Sequence, residues 1–180
     1  MRVLGISGST SAKSSNTALL RAASRVAPPG TEIVIYEGMA GLPHFNPDLD
    51  VEPLPAPVAA LRAQVGTVDA LAICSPEYAH GVPGALKNTL DWLVSALEPI
   101  GKPVLLISAS PSGAAYAHAQ LLEVLRTMMG AHLVDGGAHM FSRSKLDASG
   151  GIAAPDLVDA LTRGFAQLAE ACAVVAAANA

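Results

Sequence analysis

The sequence predicts an α/β fold in which helices cover both faces of a parallel five-stranded sheet. Short apolar runs alternate with helix-like patterns along the whole chain, as they do when each strand is followed by a helix that returns the chain to the same sheet. Two of the runs, residues 70–74 and 103–107, are almost continuously apolar, which is typical of strands buried on both faces. A length of 180 residues fits one domain, residues 1–180.

Local patterns predict the individual elements. Apolar runs place strands at residues 3–7, 32–36, 70–75, 104–108 and, more weakly, 132–134. Apolar residues at helical spacing place helices at residues 18–26, 58–65, 85–96, 117–129 and 156–178. The alanine-rich residues after Cys172 are predicted to be the fraying end of the last helix, with a subunit contact as the alternative.

A proline-rich stretch, residues 38–57, is predicted to be irregular. Prolines at positions 43, 47, 53 and 55 keep it out of any regular element. Loops of this length in a compact domain are often functional. Two roles stay open for it: a rigid crossover to the next helix, or a position beside a ligand.

Composition excludes several classes of protein. Apolar residues make up 51% and charged residues 14%, which argues against disorder, and a net charge of −4 without a basic run argues against a nucleic-acid partner. No apolar segment reaches the roughly 20 residues that span a membrane, and the N-terminal apolar stretch is too short for a signal peptide. Cys74 and Cys172 form no disulfide or metal motif and are predicted to be small buried residues. We therefore expect a cytoplasmic protein.

Residues 2–17 are predicted to form an anion site. An apolar strand leads into a hydroxyl-rich loop that opens directly onto a helix, whose free N–H groups and dipole favour a phosphate. Gly8 permits close approach of the backbone. The loop offers side-chain donors at Ser9, Thr10, Ser14, Ser15, Asn16 and Thr17. The alternative is an ordinary strand-to-helix connection with Ser or Asn as the N-cap.

Two phosphate-binding motifs are missing from the loop, and their absence indicates which kind of anion it binds. It has no Gly-Lys-Ser/Thr ending of a Walker loop and no three-glycine dinucleotide fingerprint, so hydroxyls in place of glycines suggest a terminal monophosphate. In an open parallel sheet, ligands bind outside the carboxyl ends of the strands, where the strand order reverses. The loops at residues 7–16, 75–83 and 108–115, after the first, third and fourth strands, are all rich in small and polar residues. Their convergence supports the anion site.

The most distinctive run in the chain begins after the third strand. It consists of Pro76-Glu77-Tyr78, then Pro83-Gly84-Ala85-Leu86-Lys87-Asn88, then Asp91-Trp92. This run closely resembles a motif of the NADPH-dependent FMN reductases, a family with a flavodoxin-like fold that also contains azobenzene, quinone and chromate reductases. The resemblance covers about residues 1–135 and implies a doubly wound sheet of strand order 2-1-3-4-5.

Two further loops resemble the same family. The first loop is similar to its Gly-Ser-x-Arg-x-x-Ser-x-Asn pattern at Gly8, Ser9, Ser14 and Asn16, but Ser11 stands where the pattern has arginine. Lys13, two residues on, can compensate as a point charge, so FMN binding is expected to survive in weakened form. Residues 108–113 resemble the family's Ser-x-Ser-Pro-Gly-Gly loop, with Ser112 replacing one glycine.

The resemblance implies FMN and NADPH (or NADH) as cofactors. It implies that hydride passes from the nicotinamide to the flavin N5 and that two electrons then pass to a quinone, azo compound, metal oxyanion or free flavin. No protein side chain is expected to be catalytic, because the chemistry belongs to the cofactor. The predicted cofactor-binding residues are Ser9, Ser11, Lys13, Ser14, Ser15, Asn16, Thr17, Pro76, Glu77, Tyr78, Ala79, Ser110, Ser112 and Gly113.

Specific roles are expected for some of these residues. Backbone N–H groups of residues 76–78, and those of Ser110 and Gly113, are predicted to face the flavin ring. For the loop after the fourth strand, the alternative is an ordinary turn around Pro111. Tyr78 borders the ring or ribityl chain, or else is a half-buried packing residue. The resemblance implies that the Glu77 side chain points into a subunit interface, where it needs a cationic or hydrogen-bonding partner. Pro83 is predicted to occupy the first helical position.

Other side chains are assigned to structure. Lys87 and Asp91, one helical turn apart, are predicted to form a stabilising pair, and Trp92 to lie in the core or an interface. His80, beside the ring-binding turn, is predicted to be a surface residue, with orientation of a substrate as the alternative. No metal site is expected, because the histidines show no metal-ligand spacing; they are His44, His80, His118, His132 and His139. No Ser-His-Asp order typical of hydrolases is apparent.

Alternatives to the reductase remain open. The first is a flavin-binding electron carrier or interaction protein without its own turnover, and the weaker one is a structural subunit that has lost FMN. The expected partner is a small-molecule electron acceptor, with no nucleic acid and no membrane. The resemblance implies a homodimer or homotetramer whose interface includes the helix after Pro83.

Overall fold

The computed structural model describes residues 1–129 and 132–178, and its centre is a parallel sheet. The strands are β1 (Arg2–Ser7), β2 (Glu32–Ile35), β3 (Ala70–Ser75), β4 (Val104–Ser110) and β5 (Leu133–Met140). They pair in the order β2-β1-β3-β4-β5, with all four pairings parallel. The predicted flavodoxin-like order is confirmed.

Within the described residues the chain has five α-helices, of which four connect successive strands and the last follows β5. They are α1 (Ser15–Ala23), α2 (Ala56–Gly66), α3 (Gly84–Asp91), α4 (Ala115–Met129) and α5 (Pro155–Ala178). Short 3₁₀ turns occur at Met39–Gly41, Pro47–Leu49 and Arg143–Lys145. None of the described helices has the length and apolarity needed to cross a membrane.

The sheet is buried on both faces, which explains the continuous apolar runs. Along β4, Leu105 and Ile107 pack with residues of α1 and α5, while Val104 and Leu106 pack with residues of α2, α3 and α4. Side chains alternate between the two faces of a strand, so each face of β4 needs its own apolar set. The same alternation in β1 and β3 builds two cores, one on each side of the sheet.

The predicted bounds of α1 and α3 were wrong. α1 begins at Ser15 instead of residue 18, because the Ser14 hydroxyl accepts the Thr17 N–H (3.2 Å) and caps the helix. Pro83 is the N-cap of α3 and not its first residue. The helix ends at Asp91 instead of residue 96, and the carbonyl of Trp92 accepts hydrogen bonds from the Arg62 guanidinium (2.9 and 3.1 Å) in place of a continuing helical bond.

The last strand is longer than predicted. β5 runs to Met140, whereas the apolar pattern ended at residue 134. The register of β4 and β5 shifts between Leu106 and Ser108, opposite Gly136 and Gly137. Gly137 has a φ of 84°, a conformation that glycine adopts without strain. The two glycines interrupt the apolar pattern at the irregularity and so conceal the rest of the strand.

The proline-rich stretch is tied to α3. The Pro43 carbonyl accepts hydrogen bonds from Asn88 Nδ2 (2.9 Å) and Trp92 Nε1 (2.8 Å), and the Phe45 N–H donates to Asn88 Oδ1 (2.7 Å). These bonds support the interpretation as a rigid crossover. His44 also lines a shallow cleft beside Thr10, so the crossover borders the hydroxyl-rich loop as well.

Predicted structural side chains are largely confirmed. Trp92 is fully buried in the core, and Lys87 and Asp91 are ion-paired. Cys74 is fully buried, as predicted. Cys172 is only half-buried, because it lies near the solvent-facing end of α5, where it lines an open cleft.

Candidate functional site

A cleft of about 220 Å³ lies at the carboxyl ends of β1, β3 and β4. This is the sheet edge at which the sequence predicts the ligand. The residues that line the cleft are Ser9, Ser11, Lys13, Ser14, Ser15, Asn16, Pro76, Glu77, Tyr78, Ala109, Ser110, Pro111 and Phe141. Four predicted site residues do not line it, namely Thr17, Ala79, Ser112 and Gly113.

The first wall of the cleft is the serine loop, residues 8–14. Alternate serines build it, because each hydroxyl oxygen accepts the backbone N–H two residues further on. Ser7 Oγ accepts from Ser9 (3.4 Å), Ser9 Oγ from Ser11 (3.3 Å) and Ser11 Oγ from Lys13 (3.3 Å). The hydroxyls of Ser9 and Ser11 each use an oxygen lone pair internally and keep their O–H as a donor, whereas the buried Ser7 hydroxyl also lies 3.3 Å from that of Ser14. The loop therefore holds its shape while offering donors.

The first turn of α1 adds more donors. The N–H of Thr17 is satisfied by the N-cap Ser14 and that of Ala18 by the Ser14 carbonyl, while the N–H groups of Ser15 and Asn16 have no partner among the described residues. Ser14 is thus the N-cap of α1, and its hydroxyl oxygen is engaged in capping. Lys13 is exposed at the same end of the cleft. Free N–H groups, hydroxyls and one ammonium together suit a phosphate.

The tyrosine loop, residues 76–83, forms the second wall. Tyr78 and Gly81 exchange two backbone hydrogen bonds (3.2 and 2.9 Å), with Ala79 and His80 between them at φ of 50° and 57°. The N–H of Tyr78 is consequently not available to a ligand, which corrects the prediction for residues 76–78. Pro76 has no N–H, so Glu77 supplies the one N–H in that run that has no partner among the described residues.

Side chains of the tyrosine loop contact the start of α4. Glu77 Oε2 accepts the N–H of Ala117 (2.9 Å), which places a carboxylate at the positive end of the helix dipole. The His80 ring stacks on Tyr116 with centroids 4.0 Å apart, and both residues are exposed. The partner expected for Glu77 is thus found within the chain, while its place in an interface stays a prediction. Tyr78 is 60% exposed, so the half-buried packing alternative was wrong.

The loop after β4 completes the cleft. The Gly113 N–H donates to the Ser110 carbonyl (3.2 Å), and Gly113 has a φ of 92°. This turn uses the N–H that was predicted to face a ring, so that part of the prediction was wrong. Phe141, which follows β5, donates its N–H to the Ser110 carbonyl (2.8 Å) and lines the cleft. It was missed because the sequence pattern ended β5 six residues too early.

Gly8 joins the first two walls. Its N–H donates to the Cys74 carbonyl (2.8 Å). A Cβ at this position would lie 3.0 Å from Pro76 Cδ, 3.0 Å from Leu86 Cδ2 and 3.2 Å from Ser75 Cα. The serine loop can therefore pack against the tyrosine loop only without a side chain at residue 8.

A hydrogen-bonded chain of Ser108, His118 and Asp135 lies outside the cleft and was not predicted. His118 Nδ1 is 2.9 Å from Ser108 Oγ, and His118 Nε2 is 2.8 Å from Asp135 Oδ1. Burial acts to raise the pKa of Asp135, but the hydrogen bonds from His118 and the Gly137 N–H outweigh it and hold that pKa below its usual value. Ser108 is fully buried, so it cannot serve as a nucleophile for an external substrate. No sequence spacing signals this trio, because three different elements supply it.

Comparisons of the sequence with known proteins point to one family. A sequence model described as NADPH-dependent FMN reductase matches residues 1–145. An NAD(P)H-dependent FMN reductase of Pseudomonas aeruginosa is 37% identical over 122 residues, which cover 67% of this chain and 65% of the relative. A quinone reductase of Escherichia coli is 37% identical over 114 residues, which cover 61% of this chain and 60% of the relative. The match thus spans less than two thirds of either relative's length.

A solved structure shares the fold over nearly the whole chain. It is FerB, described as a flavoenzyme NAD(P)H:(acceptor) oxidoreductase from Paracoccus denitrificans. It superposes with a TM-score of 0.79 at 25% sequence identity, over 95% of this chain and 96% of that one. The sequence match and the fold match coincide over the segment that builds the cleft. The chain therefore belongs to the NADPH-dependent FMN reductase family, a family of oxidoreductases.

Proposed function

We propose that the protein is an FMN-dependent NAD(P)H oxidoreductase that passes two electrons to a small-molecule acceptor. As a member of this family, the chain takes FMN and NAD(P)H. When bound, FMN supplies the hydride chemistry between the nicotinamide and the acceptor. The observation that carries the proposal is a cleft whose lining combines the hydroxyl-rich loop and Lys13 with apolar and aromatic residues from the other loops.

The donor end fits the FMN phosphate. Residues that line the cleft supply the donors: the N–H groups of Ser15 and Asn16, the hydroxyls of Ser9 and Ser11, and the ammonium of Lys13. Glu77 also lines the cleft, but its side chain accepts the Ala117 N–H at the start of α4. A phosphate at this end would meet preorganised donors and the positive end of the α1 dipole.

The other end fits the flavin ring. Pro76, Pro111 and Phe141 supply apolar surface, and the Tyr78 ring stands at the mouth of the cleft. The Glu77 N–H and the Ser110 hydroxyl are the polar groups at this end. Donors near the carbonyl edge of the ring would stabilise negative charge on the reduced cofactor, and no side chain is needed as a general acid or base.

A quinone is the proposed acceptor among quinones, azo compounds, metal oxyanions and free flavin. The quinone reductase of Escherichia coli supports this choice, as does the exposed Tyr78 ring, on which a planar acceptor can stack. The homodimer or homotetramer is likewise proposed. Val94 and Leu97, directly after α3, are 63% and 79% exposed and offer apolar surface for a contact. Location in the cytoplasm stays a prediction.

The test uses the purified protein loaded with FMN under anaerobic conditions. Addition of NADPH or NADH should bleach the visible flavin absorbance, and a small quinone should then restore it and sustain NAD(P)H oxidation. A bound flavin that no nicotinamide reduces would favour the electron-carrier alternative instead. A protein that binds no FMN would overturn the proposal.

A further inference from the structure

The amide of Asn16 is held from behind by a buried thiol. Asn16 lies in the first turn of α1, lines the cleft and is only 4% exposed. Cys74, near the end of β3, is fully buried, and its Sγ lies 2.9 Å from Asn16 Oδ1. This contact joins the two elements that carry the serine loop and the tyrosine loop.

The chemistry of the pair fixes which way the amide points. Burial raises the pKa of the Cys74 thiol, so the sulfur keeps its proton and donates it to the Asn16 oxygen. The amide nitrogen, Nδ2, has no acceptor among the described residues. Every fully buried side-chain nitrogen or oxygen among them has a partner, so Nδ2 is accessible from the cleft that Asn16 lines. Asn16 therefore presents N–H groups, and not its carbonyl, to the cleft.

We propose that Cys74 is a positioning residue for phosphate recognition, acting through the orientation of Asn16. The inference rests on the proposed function, because FMN supplies the phosphate. Without the thiol donor, the amide can rotate and turn its oxygen lone pairs towards the phosphate oxygens, which repel them. With the donor, the amide adds two N–H groups to those of the α1 first turn. Since the thiol stays protonated, this arrangement holds across the physiological pH range.

The test compares variants of Cys74 by flavin affinity. Cys74→Val removes the donor with little change in volume, and Cys74→Ser keeps a hydroxyl donor. Dissociation constants are measured by fluorescence titration for FMN and for riboflavin, which lacks the phosphate. Cys74→Val should weaken FMN binding about tenfold and leave riboflavin binding unchanged, because the lost donor acts on a charged group. Cys74→Ser should restore FMN binding to near the wild-type value.

Other outcomes overturn the inference. An equal loss for both flavins in Cys74→Val means that the residue only packs, and an unchanged FMN affinity means that it does not act at all. If Cys74→Val fails to fold, Cys74→Ala replaces it in the same comparison. In an Asn16→Leu background, Cys74→Val should no longer change the ratio of the two affinities, and a persisting change overturns the inference. A wild-type protein that binds neither flavin would instead refute the proposed function itself.

Discussion

The serine loop and the tyrosine loop face each other across the cleft, yet their polar groups are used in opposite ways. In the serine loop, hydroxyl oxygens accept backbone N–H groups internally, and the O–H groups of Ser9 and Ser11 have no acceptor among the described residues. In the tyrosine loop, the N–H groups of Tyr78 and Gly81 and the Glu77 carboxylate are used within the chain. A sequence motif thus predicts which residues line a site, whereas the folded structure determines which of their atoms are accessible to a ligand.

The largest effect is expected at Gly8, where the two loops meet. Gly8→Ala places a methyl group 3.0 Å from Pro76 and Leu86, which is overpacking, so the free energy of unfolding should fall by about 2 kcal/mol. FMN affinity should fall with it, because the walls move apart. Gly41→Ala is the matched control, since nothing lies within 4 Å of its Cβ. Urea unfolding of both variants checks this, and equal stabilities would show that the loops tolerate separation.

Substitution of Lys13 tests whether the serine loop provides a charged donor to the FMN phosphate. Lys13→Ala should raise the dissociation constant for FMN about fivefold to tenfold, with a smaller factor at high salt, and leave that for riboflavin unchanged. Arg21→Ala removes the same charge from α1, but Arg21 pairs with Glu37 and does not line the cofactor cleft. It should have little effect. If the two variants weaken FMN equally, only the net charge matters and Lys13 makes no specific contact.

Substitution of Glu77 tests whether its carboxylate stabilises the start of α4 and does not bind the ligand. Glu77→Ala removes the acceptor for the Ala117 N–H at the start of α4, which should cost about 1 kcal/mol of unfolding free energy. FMN affinity should change less than twofold. Glu77→Gln keeps an acceptor oxygen and should recover part of the stability. A large loss of affinity without a loss of stability would contradict the assignment of this carboxylate to α4.

The smallest effect is expected at Ala79, which holds a φ of 50°. Left-handed backbone costs a non-glycine residue about 1 kcal/mol, so Ala79→Gly should raise the free energy of unfolding by about 0.5 kcal/mol after the entropic cost of glycine. Ala60→Gly, at an exposed position of α2, should lower it by about 1 kcal/mol. Thermal and urea unfolding of the two variants show whether each change raises or lowers the free energy of unfolding. A loss at Ala79 would mean that its conformation carries no strain.

Much of the fold could be predicted, because β3 and β4 are buried on both faces of the sheet and their sequences are therefore almost continuously apolar. The end of β5 could not, because Gly136 and Gly137 interrupt the pattern where the strand becomes irregular. The approximate place of the cleft followed from the three loops. The hydrogen bonds that the Tyr78 and Gly113 N–H groups make within local turns could not be predicted, because they depend on the folded conformation of each loop. The hydrogen-bonded chain outside the cleft consists of Ser108, His118 and Asp135, which lie on three separate elements. No local sequence pattern therefore predicts it.

The most direct test of the central claim is the affinity of the wild-type protein for FMN compared with riboflavin. If the serine loop and α1 bind the phosphate, equilibrium titration should give FMN a dissociation constant at least tenfold lower than that of riboflavin. Comparable constants for the two flavins would contradict the account, because the donors of the serine loop would then contribute nothing to binding.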